Sequence, residues 1–255
     1  DLCELMLLDS AHLQEEDARF ANQSGYSHHA PALPLYTIED AKAVLELFQV
    51  IPSLEWFELS KGIQIRLSRS GHILGSTFVE MQYREVDRHY KMTFSGDLGN
   101  GRSHIIRPPL YINETDFLVI EATYGDRLQP RDGLFEKLAQ VIVKIANRNG
   151  VLIIPAFSVG RTQEILYYLR KLEEQNKIPD IPVFVDGPMA NQANAIYMKH
   201  KEEQLLDYGR NGIMEPICPK CFEGVTDPRQ SQMLNNREGP MIIISASGML
   251  TGGRV

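Results

Sequence analysis

The stretch VLIIPAFSVGRTQEILYYL, residues 151–169, joins an apolar run to an amphipathic segment through a short loop that contains Gly160. Apolar residues that follow one another without polar alternation are typical of a strand covered on both faces. From residue 161 onward, apolar side chains recur with the period of a helix. The stretch therefore predicts a strand, a loop and a helix in direct succession.

The same alternation of strands and helices continues on both sides of this stretch. A helical pattern, FEKLAQVIVKIANRNG, occupies residues 135–150, and IPVFVDGPM at residues 181–189 predicts a strand before a further helix at residues 190–201. Apolar strands that alternate with helices predict an α/β fold with a mainly parallel, doubly wound sheet.

The first half of the chain differs in kind. Residues 63–67, 79–83 and 90–94 alternate apolar and polar side chains, which indicates antiparallel strands. The continuous apolar run at residues 117–120 predicts a strand buried on both faces. An amphipathic helix is expected at residues 2–22, and Thr37, three residues before Asp40, matches the start of a second helix. We place the boundary between the two halves near residues 122–130.

The bulk properties exclude several classes of protein. The chain has 255 residues, 43% of them hydrophobic, with a net charge of -7 and three cysteines. These values predict a cytoplasmic protein without a disulfide framework or a membrane span, in which any contact with nucleic acid is local. The chain begins at Asp1 and stops at Val255, directly after GMLTGGR, and we expect it to be part of a longer protein.

Polar residues and glycines collect where predicted strands end, which is where ligands gather in open sheets. His72 in SGHILGS and Asp97 in SGDLG lie in such turns, and both side chains are of the types that bind hydrolytic zinc. The alternative is a hydrogen-bonded loop histidine and an aspartate that shapes its own turn. Two ligands are too few for a catalytic metal.

Other candidates are less specific. Ser247 and Gly248 in SASGMLTGGR could hold a phosphate, or the glycines could serve only a tight turn. Cys218 and Cys221 have the spacing of metal ligands but no second pair, so a knuckle or a chance pair is expected. We expect His12, His28 and His29 to be exposed. Tyr124 and Phe157 are candidates for stacking on RNA bases, although core burial is expected for both.

Six motifs in this order resemble those of the metallo-β-lactamase-fold nucleases with a β-CASP domain. They are SGHILGS, FSGDLGN, IEATYGDR, IPAFSVGRTQEILYYL, VFVDGPMANQ and ISASGMLTGGR. The group includes the RNA-cleaving subunit of eukaryotic 3′-end processing and many bacterial and archaeal ribonucleases. The resemblance implies residues 1–125 as the C-terminal portion of a metallo-β-lactamase αββα sandwich, and residues 126–255 as a truncated β-CASP domain.

The resemblance also implies roles for individual residues. His72 matches a metal ligand, Asp97 the catalytic carboxylate that bridges two zinc ions, and Glu121 the acidic residue that helps to orient a catalytic histidine. Ser247 and Gly248 match a region that contacts the nucleic-acid backbone. The partner expected is RNA rather than a membrane, and one assembly to test is a homodimer.

The chain also departs from the family pattern. The H-x-H-x-D-H motif that supplies most metal ligands does not occur in the sequence, and two later histidines of the family would lie beyond Val255. We therefore expect residues 1–255 to be the inactive part of a two-zinc ribonuclease. An inactive module that binds RNA or acts as a scaffold is the alternative. A nucleotide-binding domain ranks third, because the chain lacks the glycine-rich motifs of that class.

Overall fold

The computed structural model describes residues 1–85, 88–128, 133–206 and 217–246. The chain divides into two compact units, residues 1–50 and residues 51–255. Among the described residues, no helix is long and apolar enough to cross a membrane. The division expected from the sequence, into residues 1–125 and 126–255, stays a prediction.

The first unit consists of two helices and the loop that joins them. Helix α1, Leu2–Ser24, ends at Gly25 in the left-handed conformation, and helix α2 covers Ile38–Leu45. The predicted start of α2 is confirmed, because the Thr37 hydroxyl accepts from the Asp40 backbone while the Asp40 carboxylate accepts from the Thr37 N–H. The loop is tied to α1 through both polar atoms of the Asn22 amide, which pair with the backbone of Ala32.

The second unit contains two sheets. The first sheet has five strands in the order β1-β2-β3-β4-β5: Phe57–Ser60, Ile63–Arg69, Thr77–Glu85, Arg88–Phe94 and Phe117–Val119. Strands β1 to β4 are antiparallel, as the alternation predicted, and β5 joins the edge parallel to β4. This arrangement brings the ends of β2, β4 and β5 close to one another.

The strand at residues 117–120 differs from its prediction. The expectation that it is buried on both faces is wrong, because Phe117, Leu118, Val119 and Ile120 each remain between 51% and 57% exposed. The physical reason is its place at the edge of the sheet, where it pairs with β4 over three residues. An apolar run identifies a strand, but it does not say what covers the strand.

The second sheet is parallel throughout, as expected for an α/β fold. Its strands run in the order β6-β9-β7-β8: Val151–Pro155, Met241–Ser245, Val183–Asp186 and Phe222–Val225. The helices of this region are α3 (Leu134–Asn147), α4 (Arg161–Glu174), α5 (Pro188–Lys199) and α6 (Pro228–Leu234), with a short 3-10 turn at Lys201–Glu203. The structure is therefore a mixed α/β fold that contains an antiparallel and a parallel sheet.

The core of this parallel layer contains an apolar cluster. Phe184, Val225, Leu234 and Met241 pack in one buried cluster, and Leu166 and Leu169 of α4 have no exposed surface. Burial of each such side chain contributes about 1.5–3 kcal/mol to stability. The layer gives the loops at its strand ends a rigid support.

Candidate metal site

His72 lies in the turn that joins β2 to β3. The hydroxyl of Ser76 accepts from the backbone N–H of His72 and of Ile73, both at 3.0 Å, and donates to the carbonyl of Ile73. The Ser70 N–H donates to the carbonyl of Ser76 and closes the turn. One serine thus fixes the backbone from which the imidazole projects.

Asp97 lies in the turn that follows β4, and this turn lies against the His72 turn backbone to backbone. The N–H of Gly99 donates to the carbonyl of Ser70 at 2.9 Å. A Cβ added at Gly99 would stand 1.7 Å from the carbonyl oxygen of Gly71, which only hydrogen permits. The two turns therefore approach this closely because Gly99 has no side chain at the contact.

Glu121, just beyond β5, holds the Asp97 turn from the other side. Its carboxylate accepts from the N–H of Thr123 at 2.9 Å and from the N–H of Leu98 at 3.2 Å. These hydrogen bonds, with a smaller contribution from the charge of His72, keep the pKa of the Glu121 carboxyl below its usual value. The Glu121 N–H in turn donates to the hydroxyl of Ser95. An ionised Glu121 fixes the residue next to Asp97.

The structure brings two of the predicted ligands together. His72 Nε2 lies 3.8 Å from Asp97 Oδ2, and the side chains are 46% and 76% exposed. Bonds of about 2.0–2.2 Å in a tetrahedral arrangement place neighbouring zinc ligands about 3.4 Å apart. A small side-chain adjustment lets both atoms contact one ion, so the nitrogen and oxygen donors fit zinc as two of its ligands.

No third candidate ligand joins this pair in the part of the chain that the structure describes. Within it, no group of three or more histidine, cysteine, aspartate or glutamate side chains is arranged to hold a metal ion. His72 and Asp97 are thus two candidate ligands, fewer than the three that a catalytic zinc takes from the protein. Ser247 and Gly248, the predicted backbone-binding residues, lie outside the described residues.

The remaining sequence candidates fall into two groups. His12, His28 and His29 are exposed, as expected. Cys218 is buried and Cys221 exposed, and their carbonyls accept from Arg170 and from the N–H of Val183. These contacts fix the loop before β8, and neither cysteine belongs to a set of three metal-binding side chains among the described residues.

The aromatic side chains at the strand ends correct a second expectation. Tyr124 is 62% exposed and Phe157 is 59% exposed, so the prediction of core burial is wrong for both. Each follows its strand in a loop, and neither is enclosed by packed side chains. Their rings are accessible to a flat partner such as a base.

Several residues that shape this region were missed in the sequence. Ser76, Ser95 and Gly99 fix the two turns; the serine four residues after His72 is a turn signal that could have been recognised. His104 stacks on Tyr167 with ring centroids 5.8 Å apart, in a cluster with Phe135 and Tyr168. No local signal indicates that cluster, because His104 and Phe135 are distant in the chain from each other and from the two tyrosines.

Comparisons with known proteins agree with this architecture. A Beta-Casp domain model matches residues 162–255. The chain is 30% identical over 226 residues to Ribonuclease TTHA0252 of Thermus thermophilus, a match that covers 87% of this chain and 51% of the relative. It is 33% identical over 224 residues to an RNase J-like protein of Methanocaldococcus jannaschii, covering 86% and 51%.

A third relative carries a different name. The chain is 32% identical over 231 residues to Transcription termination factor FttA of Thermococcus kodakarensis, which covers 86% of this chain and 34% of that protein. The chain thus spans about half the length of the first two relatives and about a third of the third.

Proposed function

Because the chain belongs to the β-CASP family of metallo-β-lactamase-fold nucleases, we propose that it is part of a zinc-dependent phosphodiesterase that hydrolyses RNA. The observation that carries the proposal is the pair formed by His72 and Asp97, whose donor atoms lie 3.8 Å apart on adjoining turns. RNA as the substrate is supported by relatives named as a ribonuclease and as an RNase J-like protein.

Individual residues of this chain would have the following roles. His72 and Asp97 would hold zinc, and the other ligands would come from outside the described residues. When bound, zinc supplies Lewis-acid chemistry, polarising a phosphoryl oxygen and acidifying a water ligand. Glu121 keeps the Asp97 turn in place through the N–H of Leu98.

Binding of the substrate would rest on other parts of the chain. The exposed rings of Tyr124 and Phe157 are suited to stacking on unpaired bases, which favours single-stranded RNA. Ser247 and Gly248 would contact the phosphate backbone. In this proposal residues 1–125 are the C-terminal portion of a metallo-β-lactamase domain and residues 126–255 are a truncated β-CASP domain, within which the Beta-Casp match at residues 162–255 falls.

Two further assignments belong to the same proposal. The cytoplasm is the expected location, in keeping with three cysteine thiols and an RNA substrate. The assembly to test is a homodimer, by light scattering of the purified protein over a range of concentrations.

The decisive experiment compares residues 1–255 with the full gene product that contains them. Zinc content and cleavage of a labelled single-stranded RNA are measured for both. We expect the full gene product to hold about two zinc ions and to cleave the RNA, and residues 1–255 to do neither. In the full gene product, His72→Ala and Asp97→Asn should each lower cleavage by at least about a hundredfold, because an incomplete ligand set no longer fixes the ion.

Matched variants separate loss of a ligand from loss of a surface side chain. His12→Ala removes an exposed imidazole, and Asp126→Asn neutralises a carboxylate 71% exposed, against 76% for Asp97. Both should leave cleavage unchanged. Zinc-dependent cleavage by residues 1–255 would refute their inactivity. A full gene product that neither binds zinc nor cleaves RNA would refute the nuclease and favour an RNA-binding or scaffolding module.

A further inference from the structure

Helix α5 contacts the His72 turn through a buried tyrosine. The hydroxyl of Tyr197 accepts from the backbone N–H of Leu74 at 3.3 Å, two residues beyond His72. Tyr197 is 1% exposed and Leu74 is 5% exposed, so water does not replace this bond. Burial raises the pKa of Tyr197 to about 12, which keeps the hydroxyl neutral.

The start of helix α4 contacts the same turn one residue earlier. A Cβ added at Gly160 would lie 2.8 Å from Cγ2 of Ile73, the residue after His72. Two helices of the parallel layer thus contact the two residues that follow His72. The turn has little room to move relative to these helices.

The segment that follows the Asp97 turn is hydrogen-bonded to residues 203–205, which follow helix α5. The Leu205 N–H donates to the carbonyl of Ile105 at 2.7 Å, and the Arg107 N–H donates to the carbonyl of Glu203 at 3.3 Å. The side-chain amide of Gln204 donates to the carbonyl of Tyr197. Tyr197 therefore connects two parts of the structure. Its hydroxyl bonds to the His72 turn, and its carbonyl accepts from Gln204, whose neighbours in the chain bond to residues 105–107.

We propose that Tyr197 is a positioning residue for the metal site. Its hydroxyl holds the His72 turn in a fixed position relative to helix α5. The proposal rests on the zinc-dependent function above and adds to it a route by which the α4 and α5 layer acts on a metal ligand. A tyrosine that only fills the core would need its ring, which phenylalanine supplies, and would not need its hydroxyl.

The test is Tyr197→Phe in the full gene product, with Tyr168→Phe as the matched control. Tyr168 is also buried in a helix of this layer, and its hydroxyl donates to Glu164 rather than to the His72 turn. Amide hydrogen exchange of Leu74 is measured first, because that N–H loses its acceptor. We expect Leu74 to exchange about 5- to 10-fold faster in Tyr197→Phe, and at the wild-type rate in Tyr168→Phe.

The second measurement is zinc affinity, by competition with a chelator, together with kcat and KM on a single-stranded RNA. We expect Tyr197→Phe to weaken zinc binding and lower kcat by roughly 3- to 10-fold with KM unchanged, since a displaced ligand affects the ion rather than substrate binding. Unchanged exchange at Leu74, or equal losses in the two variants, would overturn the positioning role. A wild-type protein without zinc or cleavage would refute the proposed function instead, and the exchange result would still decide the contact.

Discussion

At the scale of single residues, the geometry of the site depends on a glycine, which has no side chain. Gly99 lets the turns of His72 and Asp97 contact each other through their backbones, because a Cβ there would overlap the carbonyl of Gly71. The sequence indicated that each candidate ligand lies among glycines, but it did not indicate that these glycines meet. Their meeting depends on the register of β2, β3 and β4, which tertiary packing sets.

Gly99→Ala tests this contact. The new Cβ would overlap the carbonyl of Gly71, so the turns must separate and carry the two ligands apart. We expect the full gene product to lose at least about tenfold in zinc affinity, which equilibrium competition with a chelator measures. Gly187→Ala is the control, because a Cβ there meets nothing within 4 Å. Wild-type affinity in Gly99→Ala would show that the glycine contact does not matter to the metal.

At the scale of elements, the sequence predicted more. Alternation identified β2, β3 and β4 and their antiparallel pairing, since a period of two is a property of the strand itself. Alternation did not predict which face of these strands is buried. On β2 and β3 the most buried face includes Ser68 and Glu80, whereas Ile63, Ile65 and Leu67 are only partly buried.

The same face buries Phe78 and carries an ion pair. Arg66 donates two hydrogen bonds to the Glu80 carboxylate at 2.7 and 2.8 Å, and the Ser68 hydroxyl donates a third. The Arg66 guanidinium also lies 4.7 Å from the centre of the Trp56 ring. Burial alone would raise the pKa of Glu80, but the hydrogen bonds from Arg66 and Ser68 outweigh it and lower that pKa.

Glu80→Ala should therefore destabilise the protein. Arg66 and Ser68 lose their acceptor, and because the Arg66 side chain is 32% exposed we expect a loss of about 2–3 kcal/mol in the free energy of unfolding. Urea denaturation followed by circular dichroism measures it. Glu58→Ala on the neighbouring strand β1 is exposed and should change stability by less than about 0.5 kcal/mol. Equal effects of the two substitutions would mean that the ion pair contributes nothing.

At the scale of the whole molecule, the fold class was predictable and the complete site was not. Strands alternating with helices predicted the parallel layer, and the structure confirms it in β6 to β9. His72 and Asp97 were identified by residue type and motif, and they do lie together. The H-x-H-x-D-H motif that the resemblance implies does not occur in the sequence, and the chain spans about half the length of its first two relatives.

The most direct test of the central claim is anomalous X-ray scattering at the zinc edge from crystals of the full gene product. A zinc peak about 2.0–2.2 Å from both His72 Nε2 and Asp97 Oδ2 is the predicted result. A zinc peak remote from these two side chains, or no peak in protein saturated with zinc, would contradict the assignment of the adjoining turns as a metal site.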